Sequence, residues 1–203
     1  MAHAAVITGD IVNYSRIQPD RQKKLLAQLA IALKDQKFEF YRGDSFQVFM
    51  KEPAIALRLA LEVRAIARKI SDIHDVRVSI GIGEMNSSVR SLGTTTGVPF
   101  VLSGRALDSL TGQERLVIRT PDERADLALR AISNFADFLA RGWTEKQAEV
   151  MVGLLHGESQ EIIGKRLKKS QPTVNKHAHA GGWPEIKKLL ELYNETIRQF
   201  AMI

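Results

Sequence analysis

The chain has 203 residues, 44% of them hydrophobic, enough apolar material for one elongated core or two separate domains. It contains no cysteine, which excludes disulfides, thiolate metal sites and a cysteine nucleophile while leaving the redox compartment open. The formal charge of +6 suits a polyanionic partner without naming one, and the absence of a membrane-length apolar run or signal-peptide pattern predicts a cytoplasmic chain with no membrane partner.

The first stretch, Ala4-Ala5-Val6-Ile7-Thr8-Gly9-Asp10, reads as a strand ending in an acid. A helix is predicted from about Pro19 to Leu33, with Leu25, Leu29 and Leu33 on one face. The run from Phe38 to Phe49 then reads as a hairpin whose turn, Arg42-Gly43-Asp44, places a second acid at a strand end. Gly43 lets the backbone turn and leaves room beside Asp44. Two carboxylates at the ends of adjacent strands can hold divalent cations.

Glu52 and Pro53 open a long helix carrying Ile55, Leu59, Val63, Ile66 and Ile70 at helical spacing. Val76 to Gly83 is predicted as a strand, 84–100 as a polar, glycine-rich loop, Leu102 to Leu110 as a short helix and Leu116 to Arg119 as a strand. The order β-α-β-β-α-β is that of a ferredoxin-like, palm-type unit, so the predicted class is α+β, with an all-α unit following.

These residues resemble the class III nucleotide cyclase homology domain. Thr8-Gly9-Asp10-Ile11-Val12-Asn13-Tyr14-Ser15 follows that family's first motif, Arg42-Gly43-Asp44 its hairpin tip, and Val76 to Gly83 its later strand, while Gly97, Phe100 and Arg105 keep part of its helix motif. The resemblance covers most of 4–120. It implies Mg²⁺ or Mn²⁺ on Asp10, Asp44 and the Ile11 carbonyl, and a purine nucleoside triphosphate as ligand or substrate. It further implies backbone amides of Val12, Asn13, Tyr14 and Ser15, beside Gly43, around the phosphates, with Arg105 neutralising phosphate charge in a catalytic role. Thr94 falls at one purine-reading position. Val101 stands where the family has its transition-state asparagine, and Phe40 where it has a purine-reading lysine. The pattern therefore implies nucleotide and metal binding with little turnover, and an active cyclase as the alternative. Tyr41 to Phe46 with Ser79-Ile80-Gly81 also resembles diguanylate cyclases, and the layout resembles the small bacterial SatD proteins.

From Pro121 to Gly142 no strand pattern remains. Asp122 and Glu123 suit a helix start, and Leu127, Ile132, Phe135, Phe138 and Leu139 read as one apolar stripe of a connecting helix, packed on one domain or shared in a dimer. Residues 143–203 form the predicted all-α domain. Thr144 and Gln147 have capping-box spacing, and a second helix runs from Ser159 to about Leu167. Ser170 and Pro172 begin a third, and the helix after Pro184 carries Ile186, Leu189, Leu190, Tyr193, Ile197 and Phe200.

The spacing of 144–174 resembles the helix-turn-helix of response-regulator and sigma-factor region-four proteins, with Gly164 at its small position and Lys168 where a turn glycine is usual. Lys165, Arg166, Lys168, Lys169 and Lys176 lie in a segment without acids, as phosphate contacts require. Ser170, Gln171, Thr173, Asn175 and Lys176 sit early on the third helix, where side chains reach base edges. The expected partners are duplex DNA, a nucleotide and a second copy of the chain.

Overall fold

The computed structural model describes residues 2–71, 73–85 and 89–201; the expected loop at 84–100 thus falls in part outside the described residues. The chain is α+β, a five-stranded mixed sheet with eight α-helices among the described residues. The strands are β1 (Ala2–Ile11), β2 (Lys37–Tyr41), β3 (Ser45–Met50), β4 (Val76–Met85) and β5 (Leu116–Arg119), in the order β2-β3-β1-β4-β5. β1 is antiparallel to both β3 and β4, and β5 joins β4 in parallel.

Period-two alternation along β1 assigns the two faces of the sheet. Ala5, Ile7 and Ile11 enter the main core with Phe46, Val48 and Met50 of β3. Val6 points the other way, toward Leu92 and Phe100, and Thr8 hydrogen-bonds the Ser103 hydroxyl at 2.9 Å. The second face is covered by α3 (Val98–Ser109), four residues longer at its start than the sequence suggests. That helix lies tight on β4 at Gly81, where a Cβ would come within 2.1 Å of the Pro99 carbonyl oxygen.

On the core side lie α1 (Pro19–Leu33), whose Leu25, Leu29 and Leu33 are buried, and α2 (Ala56–Arg68), buried along most of its length. Only a short 3-10 turn, Pro53–Ile55, precedes α2. Arg64, with no exposed surface, donates to both Asp75 oxygens at 3.0 and 2.8 Å and to Asp137 at 2.7 Å. Burial alone would lower its pKa, but Asp75 and Asp137 outweigh that and hold it above the usual arginine value. Asp137 also accepts the Arg115 amide at 3.1 Å, so one buried cation joins α2, the entry to β4 and α4 (Glu123–Arg141).

Asp122 caps α4 by accepting the Ala125 amide at 2.8 Å. The apolar stripe expected on this helix divides in two. Leu129, Ile132, Ala136 and Ala140 face the core, whereas Leu127, Phe135 and Phe138 are 64%, 66% and 68% exposed. Asp137 lies on the same inner side, where it accepts from Arg64.

The remaining helices are α5 (Glu145–Leu155), α6 (Gln160–Leu167), α7 (Gln171–Ala180) and α8 (Trp183–Ala201). The Thr144–Gln147 capping box is formed, and Ser159 caps α6. Ser170 occupies the N-cap position of α7, but its hydroxyl pairs with the Thr173 hydroxyl at 2.9 Å instead of an amide. These helices share a continuous core with α2 and the sheet. Buried Trp143 donates to the Gly181 carbonyl at 2.7 Å while its own carbonyl accepts from Arg68, and Tyr193 donates to the Pro53 carbonyl at 2.7 Å. Among the described residues no helix is long and apolar enough to cross a membrane.

Candidate functional site

The register of β1 and β3 brings the two acids together. Asp10 is paired with Ser45, and the Ile11 amide donates to the Asp44 carbonyl at 2.9 Å, so both carboxylates stand at one end of neighbouring strands. Arg77, opposite Asp10 on β4, places Nε at 2.8 Å and Nη2 at 2.5 Å from its two oxygens. Asp44 accepts from the Ser45 hydroxyl at 3.2 Å. Arg77 lies between Val76 and Val78, both buried in the core, and its pairing with Asp10 depends on the register between strands. Arg77 has its pKa raised chiefly by its hydrogen bonds to Asp10, with Asp108 of α3 adding to the effect.

Tyr41 links this acidic end to a cavity. Its pKa is pushed up by burial first and then by Asp10, with Asp44 and Asp108 adding and Arg42 opposing. The same side chain lines a cavity of about 410 Å³ together with Glu39, Gln47, Leu92, Thr95, Thr96, Phe100 and Val101, a volume in the range of small-molecule sites. Thr94 is exposed and does not line the cavity, a place taken by its neighbours Thr95 and Thr96. Val101, 45% exposed, presents only methyl groups to the space, and Phe40 turns to the core face.

Of the four backbone amides expected around phosphates, that of Val12 already donates to the Asp75 carbonyl at 2.9 Å. Asn13 has φ 56°, which bends the chain away from β1, and Tyr14–Arg16 make one 3-10 turn. Gly43 has φ 82° at the hairpin tip, as its residue type permits. Arg105 is exposed on α3 and has no carboxylate partner among the described residues. An all-oxygen donor set of Asp10, Asp44 and a backbone carbonyl fits a hard cation. A metal there would share Asp10 with Arg77, since a carboxylate offers about four lone-pair directions and the guanidinium takes two. No cluster of three or more carboxylate or histidine side chains able to hold a metal occurs among the described residues.

The second candidate surface is the turn between α6 and α7. Gly164 lies so close to it that a Cβ would meet the Lys169 carbonyl oxygen at 2.9 Å, with Val174 next to it. Lys168 adopts φ 52° and ψ 42°. It therefore keeps the left-handed geometry that a glycine would take at a helix C-terminus. Val174 and Ala178 fix the inner side of α7, leaving Gln171, Asn175 and Lys176 exposed and Thr173 half-buried.

The local absence of acids does not survive folding. Lys165 pairs with Glu161 at 2.7 Å, Lys169 with Glu149 at 2.7 Å, and Arg166 with Glu158 at 2.9 Å. Among the described residues Lys168 and Lys176 have no such partner, and Ser170 is exposed beside them. The field nonetheless stays positive here. His177 has its pKa lowered by burial and then by Lys169, Lys146 and Lys176, with Glu149 opposing.

Comparison with known proteins adds no family: no family model matches the chain, and no curated protein matches it.

Proposed function

We propose that the protein is a DNA-binding regulator whose sheet domain binds a purine nucleoside triphosphate with Mg²⁺ or Mn²⁺. In this reading 1–120 is a ferredoxin-like, cyclase-type unit, 121–142 the connecting helix and 143–203 a helix-turn-helix unit. The strand order supports the first, since β1 lies between two antiparallel neighbours within β2-β3-β1-β4. The observation that carries the DNA reading is the α6–α7 corner, where a buried inner side and a left-handed turn leave Gln171 and Asn175 exposed and, among the described residues, Lys168 and Lys176 without an acidic partner. Early residues of such a helix read base edges in the major groove, and the turn lysines meet phosphates.

The nucleotide reading rests on Tyr41, which both lines the cavity and lies in the field of Asp10 and Asp44. A base held in the cavity would extend its phosphates toward the carboxylates. The metal would screen those phosphates from the acids and, when bound, supply Lewis-acid polarisation. Arg77 holds Asp10 in place and balances one negative charge until the cation arrives. Arg105 would supply a further phosphate-facing charge. An active cyclase is disfavoured because Val101 brings no hydrogen-bond donor to the cavity.

Calorimetry with ATP and GTP, with and without Mn²⁺, tests the site. Metal-dependent binding that is lost in Asp10→Asn and in Asp44→Asn is expected; equal affinity in both variants would remove the carboxylates from it. Turnover is expected to be absent or very slow, and rapid release of a cyclic nucleotide would promote the enzyme.

A further inference from the structure

We infer that the outer face of α4 is an interface with a second copy of this chain, joined antiparallel about a two-fold axis at Ala131. The face consists of Arg124, Leu127, Ala128, Ala131, Asn134, Phe135 and Phe138, all exposed. Three large apolar side chains, each more than three-fifths exposed, share one stripe of a helix whose opposite stripe is already buried. Scattered surface apolar residues need no explanation, but a contiguous stripe does.

The spacing favours a second copy over an unrelated partner. With the two-fold at Ala131, the position four before it lies level with the position four after it on the other copy. Leu127 then meets the partner copy's aromatic ring from position 135. Arg124 lies level with the ring from position 138, a cation–π pairing. Ala131 meets itself, and its small side chain lets the two backbones approach. The rim is complementary in charge as well. Glu123 and Arg141 lie on the same edge of α4 at its two ends, so an antiparallel pair brings the exposed Glu123 of one copy to the end where Arg141 of the other stands, half-buried and 3.6 Å from Asp137 of its own chain. The reverse, parallel pairing would set Arg124 against Arg124 and carry the two Glu123 edges to opposite sides of the pair, without that match of charge.

The area is also of the right order. At the exposures found, the two phenylalanines alone leave roughly 270 Å² uncovered per copy, about a third of the ~800 Å² that each partner gives to a stable interface. The rest of the stripe and its charged rim extend this along the 19 residues of the helix. This inference rests on α4 and does not depend on the DNA or nucleotide reading.

The chain has no cysteine of its own, so single cysteines report the register directly. In the full-length protein, Ala131→Cys should form an intermolecular disulfide under mild oxidation. Leu127→Cys and Phe135→Cys should each stay uncoupled alone and cross-link when the two proteins are mixed. Sedimentation velocity should find a dimer that Phe135→Ser/Phe138→Ser converts to monomer, with circular dichroism unchanged. Monomeric wild-type protein would overturn the inference. So would a dimer in which Ala131→Cys fails to couple, or in which Leu127→Cys and Phe135→Cys each couple to themselves.

Discussion

Replacing Lys168 with glycine should make the protein more stable and its DNA complex weaker, and the two effects have separate causes. Lys168 holds φ 52° and ψ 42° at the end of α6, where an L side chain costs about 1–2 kcal/mol. Glycine removes that strain but brings a more flexible unfolded chain, which returns roughly half of it. The net gain is about 0.5–1 kcal/mol, or roughly 1–4 °C in melting temperature for a chain of this size. Lys168 is also exposed and has no acidic partner among the described residues, so on duplex DNA its ammonium is available to a phosphate. Losing one such contact should reduce the slope of log K against log salt by about 0.9. Thermal melts of both proteins measure the first effect, and fluorescence anisotropy on a DNA duplex across a salt series measures the second. A lower melting temperature would refute the left-handed turn, and an unchanged slope would remove Lys168 from the DNA interface.

Asp137→Ala leaves one side of buried Arg64 and the Arg115 amide without an acceptor and should cost about 3–5 kcal/mol, a fall of roughly 6–20 °C in a thermal melt. Gly81→Ala forces a Cβ to 2.1 Å from the Pro99 oxygen and 2.5 Å from the Ser103 nitrogen; because both are backbone, a loss of about 3 kcal/mol is expected in denaturant unfolding. Glu62 has its pKa raised by burial, which outweighs its hydrogen bond to His156 and the charges of Arg58 and Lys69. A raised acid binds its proton more tightly when folded, so its ionised form opposes folding at neutral pH and the penalty disappears below the ordinary glutamate range. Glu62→Gln should therefore exceed wild type in stability above that raised pKa and equal it in acid, as melts across pH will show.

Strands and most helices were legible because burial follows simple periods: alternate residues of β3, every third or fourth of α1. The same rule misled on α4. Leu127, Phe135 and Phe138 have the hydrophobicity of core residues, but the inner stripe goes to Leu129, Ile132, Ala136 and Ala140 with Asp137 among them. The inner Asp137 serves buried Arg64, whose partners lie 11 and 73 residues away, beyond any local pattern. Arg77 fell within a predicted strand, yet only the register of β1 with β4 gives it to Asp10. Likewise the acid that neutralises Lys169 is Glu149, 20 residues earlier, so a locally basic segment overstated the free charge. Position 94 missed the cavity wall by a single residue, a shift that a loop without periodicity does not encode.

The central claim joins a metal-dependent nucleotide site to a DNA-binding surface in one chain, and one binding series addresses it. Anisotropy on duplex fragments from the protein's own promoter region, at fixed salt, should show an affinity that changes when Mn²⁺ and a purine nucleoside triphosphate are added together, and that falls on Asn175→Ala/Lys176→Ala. Binding that stays the same with and without metal and nucleotide, or that survives loss of Asn175 and Lys176, would contradict the account.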